Sequence, residues 1–225
     1  KGKLEMQMTG RVKESRVFGP SFELERTISG RLGEAIIRIH DEVVNVANTP
    51  SPHMLLYHCN FGWPLADEGA DILWDGSWET PGSTSDSIFN KGNNFRKCPP
   101  PLEIHQGGGE SVAFIDPAAD EKGRCSCGLY NGRLGIAVEL RFNKSQLPRL
   151  TNWQHWGKGE YVTGLEPGTN APVGQNKARE QNQLTVLQPG EKKTYDLEIE
   201  VLTTATAIKE FQKKHCVKKT GGWLM

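Results

Sequence analysis

The chain has no long apolar run. Its hydrophobic stretches stop after a few residues, so no segment reads as a membrane-spanning helix. It also lacks an excess of either charge: Lys and Arg number 27, as do Asp and Glu, interspersed along 225 residues. With no basic block or stripe, nucleic acid and anionic membrane are disfavoured as partners. Cysteine is sparse, and Cys59, Cys98, Cys125, Cys127 and Cys216 form an odd set without framework spacing. Cys125 and Cys127 make a C-x-C with no second pair to complete a zinc site. The expectation is reduced thiols in a cytoplasmic protein, with no metal centre. G-x-G-x-x-G, Walker, H-E-x-x-H and G-x-S-x-G sequences are all missing, so nothing points to nucleotide binding, zinc proteolysis or serine hydrolysis. No signal-peptide pattern opens the sequence.

What is present is alternation. "LEMQMTGRV" and "SFELERTIS" read as strands, with turn chemistry at Gly19-Pro20 and Gly30. In "EAIIRIHDEVVNV", Ile37, Ile39, Asp41 and Val43 share one face, and Ile36, Arg38, His40, Glu42 and Val44 the other. "PHMLLYHCNFGWPL" reads as one further strand, stopped by Gly62 and Pro64. Residues 76–100, rich in Gly, Ser, Asn and Pro, read as a long loop. Strands resume at "ESVAFID", "CSCGLYNG", "LGIAVELRF" and "EYVTGLE". A last hairpin is expected in "QLTVLQPGEKKTYDLEIEVLTT", turning at Pro189-Gly190, followed by one helix over Ala207 to His215. About ten strands and one helix, with no repeat and no linker, predict a single all-β domain over residues 1–225, a large sandwich or barrel. "KGKLEMQMTGRV" opens at Lys1 as if entering in mid-fold, so an N-terminal portion is expected to be lacking.

Three stretches could carry chemistry. In "GEYVTGLEPGTNAP", Glu166 shares a strand face with Gly164 and Val162, and Pro167 holds Glu166 in extended backbone. The bare glycine suggests an open floor for a ligand ring beside an aimed carboxylate. A strand-terminal glutamate before a proline turn is the plain structural alternative. In "LLYHCNFGWPL", His58, Asn60 and Gly62 share one face, while Tyr57, Cys59 and Phe61 share the other. His53 falls on the face opposite His58, which argues against a shared metal. A buried histidine bonded to a carbonyl explains that stretch equally well. In "NWQHWGKG", Trp153, His155 and Gly157 lie on one side if the segment is extended, and Trp156 on the other. Such tryptophans suit the flat face of a sugar, or simply anchor a loop. Asp67, Glu68 and Arg141 are polar groups able to orient hydroxyls.

Two motifs carry a resemblance. Tyr57, His58, Asn60, Gly62, Pro64 and Leu65, followed by Trp153, Gly157, Tyr161, Leu165, Glu166 and Pro167, are similar to the aldose 1-epimerase (galactose mutarotase) superfamily. More narrowly they resemble its DUF4432 branch. The resemblance spans Gly10 to Val201 and implies a galactose mutarotase-like β-supersandwich of mostly antiparallel strands. It implies Glu166 as the general base removing the anomeric hydroxyl proton and His58 as the acid protonating the ring oxygen, with no cofactor. Asn60, Trp153, His155, Arg141 and Asp67 are the substrate-binding candidates. The superfamily's upstream histidine and arginine would fall before Lys1, and His155 is the candidate replacement for one of them.

The implied partner is a small sugar. A homo-oligomer, or a second chain supplying N-terminal strands, would complete the fold. The alternatives to an epimerase-like isomerase are a non-catalytic carbohydrate-binding module, a subunit of a larger complex, and lyase-type chemistry on a keto sugar.

Overall fold

A computed structural model describes residues 4–82, 85, 87–90 and 92–215; Lys1 and Cys216, named above, lie outside that set. Seven antiparallel strands form one sheet. They are β1 (Glu5–Ser15), β2 (Ser21–Arg31), β3 (Ile36–Asn45), β6 (Asp71–Trp74), β9 (Arg124–Asn131), β10 (Ile136–Asn143) and β14 (Lys192–Leu202), in the order β1-β2-β3-β14-β10-β9-β6. A five-stranded sheet runs β5-β12-β11-β8-β7, built from Cys59–Gly62, Glu160–Gly168, Arg149–Gly157, Ser111–Pro117 and Gly76–Glu79. A short ladder joins β4 (Ser51–His53) to β13 (Thr185–Leu187). No described helix is long and apolar enough to cross a membrane.

The alternating residues explain why the sheets stack. On β3 the buried Asp41 and Val43 face inward with half-buried Ile39, as the period-2 pattern requires. Trp74, Leu129, Leu140 and Leu197 of the larger sheet share one apolar core with Ile115, Leu150, Trp156 and Leu165 of the smaller. The Trp74 indole N–H donates to Asn152 Oδ1 across the layers. Cys125 and Cys127 are free thiols inside this core, and burial pushes both upward in pKa. On the outer face of the larger sheet, α2 (Ala205–His215) lays Ile208 and Phe211 against Ala137 and Leu202.

Several expectations are corrected. The 52–65 stretch is not one strand: β4 and β5 belong to different ladders, and residues 54–58 between them have another backbone partner. The 76–100 stretch contains β7, whose short GSWE sequence adds to the edge of the smaller sheet. β13 and β14 do not pair as a hairpin, because β4 captures β13 while β3 and β10 flank β14. The brief strand β6 and the helix α1 (Gln175–Glu180) carry too little periodicity to have been expected.

One polar cluster ties the layers together. Asp41 is fully buried, accepts two hydrogen bonds from Arg26 at 2.8 and 2.6 Å, and accepts a third from the Tyr57 hydroxyl at 2.7 Å. Breaking a buried pair typically costs about 3–5 kcal/mol. Arg26 is 39% exposed, which places the expected loss at the low end. Asp41→Ala should therefore destabilise the chain by about 3 kcal/mol in urea unfolding, and Tyr57→Phe by about 1.5–3 kcal/mol. Losses under 0.5 kcal/mol would show that the cluster is incidental.

Candidate functional site

The outer face of the smaller sheet collects the polar residues. Strand register places Asn60, Gly164, Trp153 and Val112 in one row across β5, β12, β11 and β8, and Glu166, Thr151 and Phe114 in the next but one. Neighbouring strands lie about 4.8 Å apart, so these rows are continuous contact surfaces.

His58 stands just before β5, outside any ladder, so its position comes from anchors on either side. The Tyr57 N–H donates to Pro167 O at 2.9 Å, and Leu56 bridges Gly168. One residue further back, Leu55 N–H donates to Thr169 Oγ1 at 3.0 Å, and Thr169 N–H returns a bond to Leu55 O at 2.9 Å. The segment before His58 is thus stitched to the segment after Glu166. His58 Nε2 comes to rest 3.1 Å from Glu166 Oε1. That approach is off the line of a hydrogen bond, and Oε1 is buried with no hydrogen-bond donor among the described residues. Glu166 is only 3% exposed, whereas the His58 side chain is 54% exposed. His58 Nδ1–H donates to Asn60 Oδ1 at 2.9 Å, which leaves Nε2 to carry a proton only in the imidazolium form.

Gly164 has a role different from the one its sequence position suggests. A methyl carbon built there would overlap Glu166 Oε1 and come within 3.2 Å of Asn60 Oδ1. The space is not an open floor: the Glu166 carboxylate folds back over the glycine and fills it. Burial raises the Glu166 pKa above its ordinary 4.5, His58 partly offsets this, and the nearby Glu110 charge adds to the rise.

Trp153 lies 6.0 Å from the His58 ring, tilted by 59°. Its indole N–H donates to Glu110 Oε2 at 2.6 Å. Behind it His155 stacks at 6.1 Å and 9°, and His105 stacks on His155 at 5.6 Å and 12°. His155 is nearly buried. Its Nδ1–H donates to Gly109 O at 2.6 Å, and its Nε2 lies 3.4 Å from Glu160 Oε2. With both nitrogens engaged, His155 buttresses the Trp153 ring instead of presenting a free edge. Glu110 has no signal in the sequence and His105 no partner that the sequence names, because "HQGGGE" is a glycine-rich turn without periodicity. His105 Nδ1 accepts the Trp156 N–H at 2.9 Å, and burial lowers its pKa.

Two candidates are not brought here. Arg141 lies on β10 of the other sheet, where Glu139 and Glu198 each approach at 3.0 Å and Glu200 closes the set. Asp67 sits in the turn after β5, paired with Arg133 at 2.9 Å. Among the described residues no cluster of three or more His, Cys, Asp or Glu could hold a metal.

The stacked antiparallel sheets have the galactose mutarotase-like fold. The DUF4432 family, a domain of unknown function, matches residues 1–201, and the chain belongs to that family. A candidate aldose 1-epimerase from Klebsiella pneumoniae superposes with a TM-score of 0.85 at 27% identity, covering 93% of this chain and 54% of that one. The chain thus spans about half the length of the Klebsiella protein. A candidate aldose 1-epimerase from Escherichia coli (TM-score 0.61, 14% identity, 88% and 66% coverage) shares the fold. So does a galactose mutarotase-like protein from Lactobacillus casei (TM-score 0.58, 18% identity, 87% and 70% coverage). No curated protein matches the chain.

The raised Glu166 pKa makes a stability prediction. A carboxyl whose folded pKa exceeds its unfolded value favours the fold while protonated, and that contribution is lost as pH rises through the folded pKa. Glu166→Gln cannot ionise. The difference in melting temperature should shift in its favour as pH rises above the ordinary carboxyl value of 4.5, and level off once Glu166 is ionised in the folded chain. A difference that is flat above pH 4.5 and moves in the parent's favour as pH rises toward 4.5 would mean that Glu166 titrates low.

Proposed function

We propose that this chain is a sugar-isomerising domain of the aldose 1-epimerase type, acting at the anomeric carbon by acid/base ring opening and reclosure. The observation that carries the reading is the Glu166 Oε1 atom: buried, ionisable, without a hydrogen-bond donor among the described residues, and 3.1 Å from an exposed imidazole. Such an atom calls for a hydroxyl proton. In the proposed reaction Glu166 takes the proton of the anomeric O1–H as the C1=O bond forms. The C1–O5 bond breaks, and the imidazolium Nε2–H of His58 passes to O5. Rotation about C1–C2 followed by the reverse transfers gives the other anomer and restores both side chains.

The two groups differ in exposure, and the chemistry needs that difference. Glu166 is held by the sheet, while His58 is largely exposed and moves aside for the hemiacetal to enter between them. Trp153, braced by His155 and His105, offers its face to the apolar side of a pyranose. Asn60 keeps a proton on His58 Nδ1, so Nε2 is the nitrogen that carries the transferred proton in the imidazolium and gives it up to O5. The 27% identity to the Klebsiella protein, a candidate aldose 1-epimerase, favours the same reading.

Anomer exchange followed by NMR or polarimetry tests this on aldoses, uronates and keto sugars. Glu166→Gln and His58→Asn should each slow exchange about 10²–10⁴-fold, the range of one proton-transfer catalyst. The acid limb of kcat/KM should lie above the ordinary carboxyl value of 4.5, since Glu166 must be ionised to accept a proton. Gly164→Ala should displace the carboxylate and cost at least about tenfold in exchange while melting normally. Sugar binding without accelerated exchange, unchanged in both acid/base variants, would make the chain a carbohydrate-binding module.

A further inference from the structure

The acid/base chemistry leaves one charged group beside the site unused. Glu110 directly precedes β8, and its Oε2 accepts the Trp153 indole N–H at 2.6 Å. The turn before it explains how a carboxylate comes to stand there. Gly107, Gly108 and Gly109 have φ of 69°, 149° and 87°, which swings the chain from the single 3-10 turn Glu103–His105 into β8. At Gly109 a methyl carbon would come within 2.6 Å of Ile104 O, so the turn closes tightly on itself. Two bonds clamp it to β11: Gly109 O accepts the His155 Nδ1–H at 2.6 Å, and His105 Nδ1 accepts the Trp156 N–H at 2.9 Å. Both lie just past Trp153, and Glu110 is left at the indole edge.

An indole on a strand has two flat orientations, related by a flip about its Cβ–Cγ bond. The flip carries the ring N–H to the other edge, away from Glu110. A bond to a carboxylate is about twice as strong as one to a neutral acceptor, so it selects one orientation firmly. Strand register sets Trp153 beside Gly164, the residue that the Glu166 carboxylate covers. His58 stands 6.0 Å from the same ring. The indole plane is therefore one wall of the space in which His58 and Glu166 meet. Glu110 also reaches that space by charge, since it opposes ionisation of Glu166.

We propose that Glu110 is a positioning residue of the sugar site, fixing the Trp153 indole as the wall against which the pyranose is laid. This role rests on the isomerase reading above and extends it to a group that touches neither O1 nor O5. The Gly107–Gly109 turn then belongs to the site, as the device that brings the carboxylate to the ring.

Three substitutions in the whole chain test this. Among the six tryptophans, the Trp153 indole N–H signal in a proton–nitrogen spectrum is the one missing from Trp153→Phe. In Glu110→Ala that signal should move and exchange with water at least about tenfold faster, while Glu110→Gln, which keeps an acceptor oxygen, should leave it protected. In anomer exchange Glu110→Ala should raise KM about tenfold with kcat within about threefold, the size of one aromatic contact. Glu110→Gln should restore KM and move the acid limb of kcat/KM to lower pH, because a neutral neighbour no longer opposes ionisation of Glu166. If a sugar is bound without turnover, the isomerase reading fails, and the role of Glu110 is decided by Kd, with the same loss and the same rescue expected. A Trp153 signal or a KM (or Kd) indifferent to Glu110→Ala overturns the proposal. So does a loss that Glu110→Gln fails to restore while the acid limb stays in place, which would mark a merely structural turn. A chain that neither binds nor turns over aldoses, uronates or keto sugars overturns it together with the isomerase reading.

Discussion

The position of His58 depends on a contact that is not in its own sheet. Residues 54–58 form no regular strand, so nothing local dictates where the imidazole goes. Tyr57 supplies the constraint: its amide reaches Pro167 O, the residue after Glu166, while its hydroxyl reaches Asp41 in the opposite layer. Arg26 neutralises Asp41 from a third strand, which permits a carboxylate to lie in the core at all. Burial, followed by the bond to Asp41, pushes the Tyr57 phenol pKa upward, so the hydroxyl remains a donor across the physiological range. An electrostatic arrangement between β2 and β3 thereby sets the spacing of two side chains on the far side of the smaller sheet.

The same economy operates at Gly164. Sheet geometry brings positions 164 and 166 of β12 to one face, and strand pairing sets Asn60 opposite 164. With any side chain at 164, the Glu166 carboxylate would stand away from the sheet into solvent. With glycine it lies back against the backbone, loses water and gains proton affinity. One missing methyl group therefore acts on charge, through burial, more than on shape.

How much of this is legible in the sequence follows from how local each cause is. The alternation of β3, including the inward Asp41, could be read directly, and so could the shared face of Gly164 and Glu166. The tie between His58 and Glu166 came from resemblance, since no spacing rule links residues 108 apart in sequence. What Gly164 makes room for was misread, because a face assignment does not say which side chain folds over the gap. Arg141 looked available because its partners Glu198 and Glu200 become neighbours only when β14 pairs with β10. The expected hairpin at Pro189-Gly190 has its turn, with Gly190 at φ +74, but strand choice is a competition between sheets that the turn does not decide. β6 and β7 are only four residues each, below the length at which period-2 alternation can be told from chance.

The asymmetry within the His58–Glu166 pair is the final point. A buried ion pair satisfied on both sides would be a structural element, with neither group available to a ligand. Here one partner is sealed and the other is not: Glu166 is at 3% exposure and His58 at 54%. The carboxylate pays the desolvation penalty alone, and the misaligned imidazole does not return a full hydrogen bond. Stability alone would not select such a geometry, because replacing the carboxylate by a neutral group would remove the cost. A polar ligand able to reach past His58 and donate a proton to Oε1 would recover it. Under the proposed function, the energy withheld from folding would be available at the point where such a ligand binds.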